Sequence, residues 1–166
     1  NNGSATAETF RTNTSLTYNP STTTLNLPNL AVSGSSDFSG LLLEEVEITA
    51  GKLSDNQNIE LADGMVHLFT TAESTTFTPN IIFNGSTTLN SKMAVGQSIA
   101  VTLIVTANAS GYIANLQIDG SNQTVNYVGG SAPSSGGSSG VDQYSFNIIK
   151  TAANTYTVIG QCLKTS

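Results

Sequence analysis

The chain has 166 residues and a formal net charge of −6, and only five of its residues are Lys or Arg. So few basic groups argue against a nucleic-acid partner, because no basic surface is present to neutralise phosphates. Apolar residues make up 38% of the sequence and charged residues 10%, while 61 residues are Ser, Thr or Asn. This neutral, hydroxyl- and amide-rich composition suits solvated strands better than surface helices, and the length suffices for a buried core.

The ends and the cysteine content set further limits. No apolar run approaches the length of a membrane span, and the start has no signal-peptide pattern, so we expect no membrane insertion. The chain begins at Asn1 without a methionine, which suggests a trimmed or processed start. The single Cys162 has no partner for an internal disulfide bond.

The first part of the chain is predicted to be an arm followed by a β-ribbon. Residues 1–14 are polar, and they form either an extended arm on a partner surface or a frayed terminus. In residues 15–34 apolar and polar side chains alternate around the turn signal Asn19-Pro20-Ser21. Such a ribbon is marginal on its own, so it must pack on the following domain or on copies of itself. The predicted assembly residues are Leu16, Tyr18, Leu25, Leu27, Leu30 and Val32.

A Gly- and Ser-rich linker at 34–40 separates this unit, residues 1–40, from a second domain at 41–166. The second domain opens with a predicted strand at 41–48. Glu44, Glu45 and Glu47 lie close together there and could suggest a carboxylate site. A solvated edge strand that resists sheet-to-sheet aggregation is the favoured interpretation.

Alternating apolar runs and turn signals continue to the end of the chain. Asp63-Gly64 and Asn84-Gly85 predict two hairpins. The run 98–106 is the most apolar, with six β-branched residues of nine, and it predicts a central strand.

The C-terminal part adds predicted strands at 112–118, 123–128, 144–150 and 155–163. Between them, residues 129–140 contain ten Gly or Ser and form either a mobile loop or backbone laid along a neighbour. Eight or more short strands with regular turn signals predict an antiparallel β-sandwich, jelly-roll-like, with an N-terminal arm and hairpin.

The candidate chemical groups do not form a catalytic pattern. His67 shares a predicted strand face with Met65 and Phe69, so we interpret it as a structural strand residue. Cys162 is interpreted as a small buried hydrophobe. The oxygen-rich run 55–60 lacks the glycine and ligand spacing of a calcium loop and is interpreted as a turn. The sequence therefore predicts no catalytic residues, cofactor or metal, and no enzymatic activity.

Two stretches resemble known structural proteins. Ser15–Leu25 (SLTYNPSTTTL) with Leu30–Gly34 (LAVSG) resembles "LTYNPSTxxL…LxVxG" units of tailed-bacteriophage fibre proteins. The segments Ser98–Thr102 (SIAVT), Val128–Pro133 (VGGSAP), Tyr144–Ala152 (YSFNIIKTA) and Tyr156–Gly160 (YTVIG) are similar to modules of structural proteins of marine tailed phages, cyanophages especially. The resemblance implies a virion protein on the exterior of the particle, commonly trimeric.

Three functions follow as hypotheses. The first is a tail-fibre-type module for assembly and host contact, with other virion proteins as partners and a host surface glycan as a further candidate. The second is a capsid decoration protein bound to the head shell. The third is a carbohydrate-binding β-sandwich, for which Tyr112 and Tyr127 are the candidate aromatic residues.

Overall fold

A computed structural model of the chain describes residues 17–26, 30, 32 and 34–165. The chain divides into two compact units, Asn1–Leu42 and Leu43–Ser166. In the first unit, strands β1 (Thr17–Asn19) and β2 (Thr24–Asn26) pair antiparallel. The side-chain Oδ1 of Asn19 accepts hydrogen bonds from the Ser21 amide at 3.1 Å and the Ser21 hydroxyl at 2.7 Å. This Asx-type turn confirms the predicted hairpin at its described residues.

The described part of the second unit, residues 43–165, contains ten strands and one short α-helix. In chain order these are β3 (Val46–Thr49), β4 (Asn58–Glu60), β5 (Val66–Phe69), β6 (Asn80–Ile82), α1 (Leu89–Lys92), β7 (Ser98–Thr106), β8 (Leu116–Ile118), β9 (Ser121–Gln123), β10 (Val125–Tyr127), β11 (Val141–Ala152) and β12 (Thr155–Lys164). A 3-10 turn at Leu61–Asp63 follows β4. The protein is therefore mostly β, as the composition predicts.

The strands of the second unit form two mixed sheets. One has six strands in the order β10-β12-β11-β7-β5-β3, and the other has four in the order β4-β6-β8-β9. β7, β11 and β12 pair antiparallel, whereas β3, β5 and β7 are parallel neighbours, as are β4, β6 and β8. The predicted purely antiparallel arrangement is therefore wrong, and the jelly-roll topology is not confirmed.

The parallel pairs arise because the chain alternates between the sheets. From β3 to β8 each strand lies in the sheet opposite to its predecessor, so a strand of one sheet supplies the crossover for two parallel strands of the other. Val46 aligns with Val66 and Asn58 with Asn80, offsets of 20 and 22 residues. The next offsets, from Val66 to Thr102 and from Asn80 to Gln117, are 36 and 37. We call the stretch of chain between two parallel neighbours of one sheet a coil; the two successive coils of each sheet are therefore unequal in length.

The predicted central strand is confirmed as β7, which begins at Ser98 and ends at Thr106. Its inward side chains Val101, Leu103 and Val105 are buried. They belong to one hydrophobic cluster that also receives inward residues of β11, β12 and the four-stranded sheet. These further members include Tyr144, Phe146, Ile148, Val158, Ile59, Ile81, Leu116 and Ile118.

The strand predicted at 41–48 begins later than expected. Residues 41–45 are irregular, and β3 is confined to Val46–Thr49 at one edge of the six-stranded sheet. Glu44, Glu45 and Glu47 are exposed, in agreement with the edge interpretation.

The Gly- and Ser-rich segment 129–140 is anchored at Gly136 and Gly137, which are buried. The Gly136 amide donates to the Ala109 carbonyl at 3.0 Å, and the Gly137 amide donates to Oδ2 of Asp142 at 2.8 Å. Asp142 is fully buried, and its Oδ1 has no partner among the described residues. The backbone of this segment thus lies on the domain that contains it.

Candidate functional site

A polar groove of about 380 Å³ lies on the outer face of the four-stranded sheet. Successive side chains of a strand point to opposite faces of the sheet. Ile59 of β4 and Ile81 of β6 are buried in the core, so Asn58 and Asn80, which directly precede them, lie on the outer face. The opposite wall is the turn that leads into α1. The principal polar lining residues are Asn58, Asn80, Asn84, Ser86, Thr88 and Asp119.

A relay of side-chain amides fixes one wall of the groove. Oδ1 of Asn80 accepts a hydrogen bond from the Gly120 backbone amide at 2.8 Å. A backbone N–H only donates, so this contact determines which end of the Asn80 amide is oxygen. Its Nδ2 then donates to Oδ1 of Asn58 at 2.8 Å. The Nδ2 of Asn58 therefore remains as a donor, without a partner among the described residues.

The second wall is ordered by local capping interactions. Oδ1 of Asn84 accepts from the Ser86 amide at 3.0 Å, an Asx turn. The Thr88 hydroxyl accepts from the Ser91 amide at 3.2 Å and caps α1. The carboxylate of Asp119 accepts from the amides of Leu89 at 2.8 Å and Asn90 at 2.9 Å. Asp119 therefore ties the turn after β8 to the start of the helix.

A buried lysine holds the other end of the same helix. Lys150 is 6% exposed, and its ammonium group donates to the carbonyl oxygens of Asn90 and Met93. These are carbonyls at the end of α1, where a helix lacks internal donors and favours positive charge. The groove wall is thus anchored at both ends.

The groups left over in the groove are amide donors and hydroxyls. The side-chain oxygens of Asn58, Asn80 and Asn84 already accept hydrogen bonds from the protein. The hydroxyls of Ser86 and Thr87 have no hydrogen-bond partner among the described residues. Among the described residues that line the groove, Ile82, which is 8% exposed, is the only one with an apolar side chain. The arrangement can therefore form directional hydrogen bonds to a neutral polar molecule.

The residues that the sequence singled out lie elsewhere. His67 is 3% exposed, and its Nε2 lies 3.0 Å from the Gly64 carbonyl oxygen, a structural contact within the core. Asp55 accepts from the Thr78 amide at 2.9 Å and so belongs to a turn before β4. Tyr112 and Tyr127 are both partly buried, and neither lines the groove.

Cys162 is only partly buried, and it lies opposite Tyr144 in the β11–β12 register. Burial raises the pKa of its thiol, although its hydrogen bond with Tyr144 opposes that shift. A thiol with a raised pKa is a poor nucleophile. The described residues contain no group of three or more His, Cys, Asp or Glu side chains suited to a metal ion.

The predicted assembly residues cannot be compared as a set. Leu16 and Leu27 lie outside the described residues, and Tyr18 is described only by its backbone pairing with Leu25. Leu25, Leu30 and Val32 are 55%, 66% and 49% exposed. Their role in assembly stays a prediction.

Comparisons of the chain with models of known protein families, with curated proteins and with solved structures give no match. Among the described residues, no helix has both the length and the apolar character required to cross a membrane. The groove and its neighbouring surfaces are therefore interpreted from their own chemistry.

Sequence reasoning missed the groove because its residues come from separate turns and strands. The sequence identifies Asn84-Gly85 only as a hairpin turn, and Asn58 only as part of the oxygen-rich run 55–60. One usable signal existed: Asn58 and Asn80 each precede an isoleucine in a short strand, and they align in the observed register. Recognising the coil offset would have placed the two amides side by side.

Proposed function

We propose that this chain is a non-enzymatic structural protein on the exterior of a tailed-phage virion. In this proposal it is a tail-fibre-type module that assembles as a trimer and contacts the host. The observation that carries it is an exposed apolar surface at one edge of the six-stranded sheet. The proposed location in a virion and the proposed trimeric state rest on the resemblance of residues 15–34 to units of phage fibre proteins.

The apolar surface comprises Val46, Ile48, Val66, Leu68 and Ile104 and is termed the β3 surface. Residues that are directly opposite each other on neighbouring strands lie on the same face of the sheet. Between β3 and β5, Val46 is opposite Val66 and Ile48 is opposite Leu68. Between β5 and β7, Leu68 is opposite Ile104, so all five side chains share the outer face. Val46 and Ile48 are 39% and 62% exposed, and the other three are partly exposed. Contiguous apolar surface of this kind marks interaction sites in soluble proteins.

The backbone next to the β3 surface favours pairing with another chain. β3 pairs only with β5 among the described strands, so its other side presents free N–H and C=O groups. Leu41, Leu42 and Leu43 precede it and are 85%, 74% and 80% exposed. A second copy of the chain that pairs with this edge would bury the backbone of β3 together with Leu43 of the same unit. The adjacent glutamates disfavour unspecific edge-to-edge stacking.

A capsid decoration protein is the alternative within the structural class. It would use the same β3 surface against shell subunits, with the N-terminal arm across them. Immunogold labelling of intact particles distinguishes the two, because a fibre module labels the tail and a decoration protein labels the head.

The finer fold proposal is a β-sandwich. Its support is that inward side chains of both sheets, such as Leu103 and Ile118, belong to one hydrophobic cluster. Facing sheets about 10 Å apart interdigitate such side chains. We expect nuclear Overhauser contacts between methyl groups of the two sheets. Their absence would show that the sheets do not pack face to face and would contradict the β-sandwich.

The assembly proposal is tested by the absolute mass in solution from light scattering at low and high salt. A trimer of the 17.2 kDa chain that persists at high salt is expected, because apolar contacts are weakly screened. Ile48→Ser should dissociate it, and so should the double substitution Leu25→Ser and Leu27→Ser, with the main domain still folded. Val95→Ser is the matched control, since Val95 is 63% exposed in a different loop. A monomeric native chain, or variants that remain trimeric, would refute the proposal.

A further inference from the structure

The groove on the four-stranded sheet carries an inference that is independent of the assembly state. We propose that it is a binding site for a neutral saccharide, held by hydrogen bonds to side-chain amides and hydroxyls. The inference names a ligand class and a site for the host-contact part of the proposed function. It depends on the groove alone, so a monomeric protein would leave it unaffected.

The charge of the groove disfavours an anion. Lys, Arg and His are absent from its lining in the part of the chain that the structure describes. Asp119 contributes a carboxylate, and a Cβ added at Gly85 would lie 3.6 Å from Oε1 of Glu60, so a second carboxylate borders the same turn. A phosphate or sulfate would meet negative charge without a cation to offset it.

The hydrogen bonding of the groove disfavours a metal cation. Hard cations require several free oxygen ligands. Here the amide oxygens of Asn58, Asn80 and Asn84 accept protein hydrogen bonds, and both oxygens of Asp119 accept backbone amides. A cation would have to share these oxygens with donors that already occupy one lone pair of each, including the two backbone amides that hold the start of α1.

An apolar ligand is disfavoured by the same inventory. The lining residues include no aromatic side chain, and Ile82 is almost covered. A neutral polyol fits the groups that remain, because its hydroxyls accept from Nδ2 of Asn58 and exchange hydrogen bonds with Ser86 and Thr87. The volume of about 380 Å³ lies within the range of small-molecule sites.

The walls of the groove are ordered before a ligand arrives. The Asn80 relay joins β4 to the turn after β8, and Asp119 joins that turn to α1. Ordering a site in advance lowers the entropy that binding must overcome. Without aromatic stacking the site is open and polar, so we expect selective but weak binding, with dissociation constants of the order of 1 mM.

The test is a ¹⁵N-edited NMR titration of the full chain. Glucose, galactose and N-acetylglucosamine are added separately, and calcium chloride and inorganic phosphate serve as comparison probes. At least one sugar should shift the side-chain amides of Asn58 and Asn84 and the backbone amide of Gly120, and the shifts should saturate.

Two variants connect such shifts to the groove. Asn58→Leu removes the free amide donor, and Ser86→Ala removes a hydroxyl that makes no hydrogen bond within the described protein, so the latter leaves the fold intact. Each should weaken sugar binding at least tenfold. The control is Asn122→Ala, because Oδ1 of Asn122 accepts from Gln117 at 3.1 Å on the same sheet and Asn122 does not line the groove.

Sugar-induced shifts at the groove that both groove variants lose and Asn122→Ala retains support the proposal. An absence of sugar shifts there, or sugar binding that neither groove variant weakens, would overturn it. So would saturable shifts at the groove with calcium or phosphate in place of the sugars. All of these outcomes are read without reference to the mass of the assembly.

Discussion

Two tyrosines of the C-terminal hairpin should respond oppositely to the same substitution. Tyr144 is fully buried, and its hydroxyl oxygen accepts the Ile113 backbone amide at 3.4 Å. The hydroxyl of Tyr156 is also buried but has no partner among the described residues. Burial raises the pKa of Tyr156 to about 12, with the charge of Asp119 as a smaller cause.

Substitution by Phe keeps each ring and leaves no large cavity. Tyr144→Phe leaves the Ile113 amide without an acceptor, which typically costs about 1–3 kcal/mol, and the long 3.4 Å bond favours a value near ~1 kcal/mol. Tyr156→Phe removes a buried hydroxyl that nothing satisfies, so we expect the free energy of unfolding to stay constant or rise by up to ~1 kcal/mol. The two variants should therefore differ by about 1–2 kcal/mol.

The assay is equilibrium urea unfolding followed by far-UV circular dichroism. The chain contains no Trp, and each substitution removes a tyrosine fluorophore, so fluorescence is unsuitable. Thermal unfolding should show the same order, with midpoints separated by about 3–6 °C for a domain of this size. If Tyr156→Phe destabilises the protein as much as Tyr144→Phe, the assignment of a satisfied and an unsatisfied hydroxyl is refuted.

Two further predictions concern the loops around the core. A Cβ at Gly136 would overlap the carbonyl oxygen of Asn108 and lie 2.7 Å from that of Gly111, so Gly136→Ala should cost at least ~3 kcal/mol of unfolding free energy. In Gly51→Ala the nearest atom lies at 3.6 Å, and this control should stay within about 0.5 kcal/mol; equal effects in urea unfolding would contradict the docked loop. The Lys52 hydrogen bond holds the pKa of Glu73 below its ordinary 4.5, so its stabilisation is complete above pH 4.5 and is lost as pH falls through the lower folded value. Glu73→Gln should flatten that acid-side loss in urea unfolding, and an unchanged slope would remove Glu73 as its cause.

Strand positions could be predicted from the sequence because they depend on local apolar alternation. The run 98–106 coincides with β7, and the strand predicted at 144–150 lies within β11, where Tyr144, Phe146 and Ile148 are buried on one face. An apolar–polar alternation with a period of two residues shows which side chains of a strand share a face, and the apolar face is expected to be buried. The alternation does not show which other strand of the sheet pairs with that strand.

The two hairpins predicted at Asp63-Gly64 and Asn84-Gly85 do not form, and the backbone dihedral angles of these turns explain why. A two-residue hairpin of the expected type requires positive φ at both turn residues. Asp119 and Gly120 meet this condition, with φ of 49° and 77°, and they join the antiparallel strands β8 and β9. Of the pair Asp63-Gly64 only the glycine has a positive φ, and Asn84-Gly85 has none. After Asp63-Gly64 the chain therefore continues into β5 of the other sheet, and after Asn84-Gly85 it continues into α1.

The unequal coils explain where the groove comes from. The coil from β5 to β7 is longer than that from β3 to β5, and its extra residues include the turn at 84–88 and α1. Asp119 and Lys150 hold α1 at its two ends, which places the turn against the outer face of β4 and β6. The hydroxyls of 86–88 and the Asn58 amide thus meet because one coil is longer than its neighbour, and shortening that coil should remove the groove while leaving the register of β5 and β7 intact.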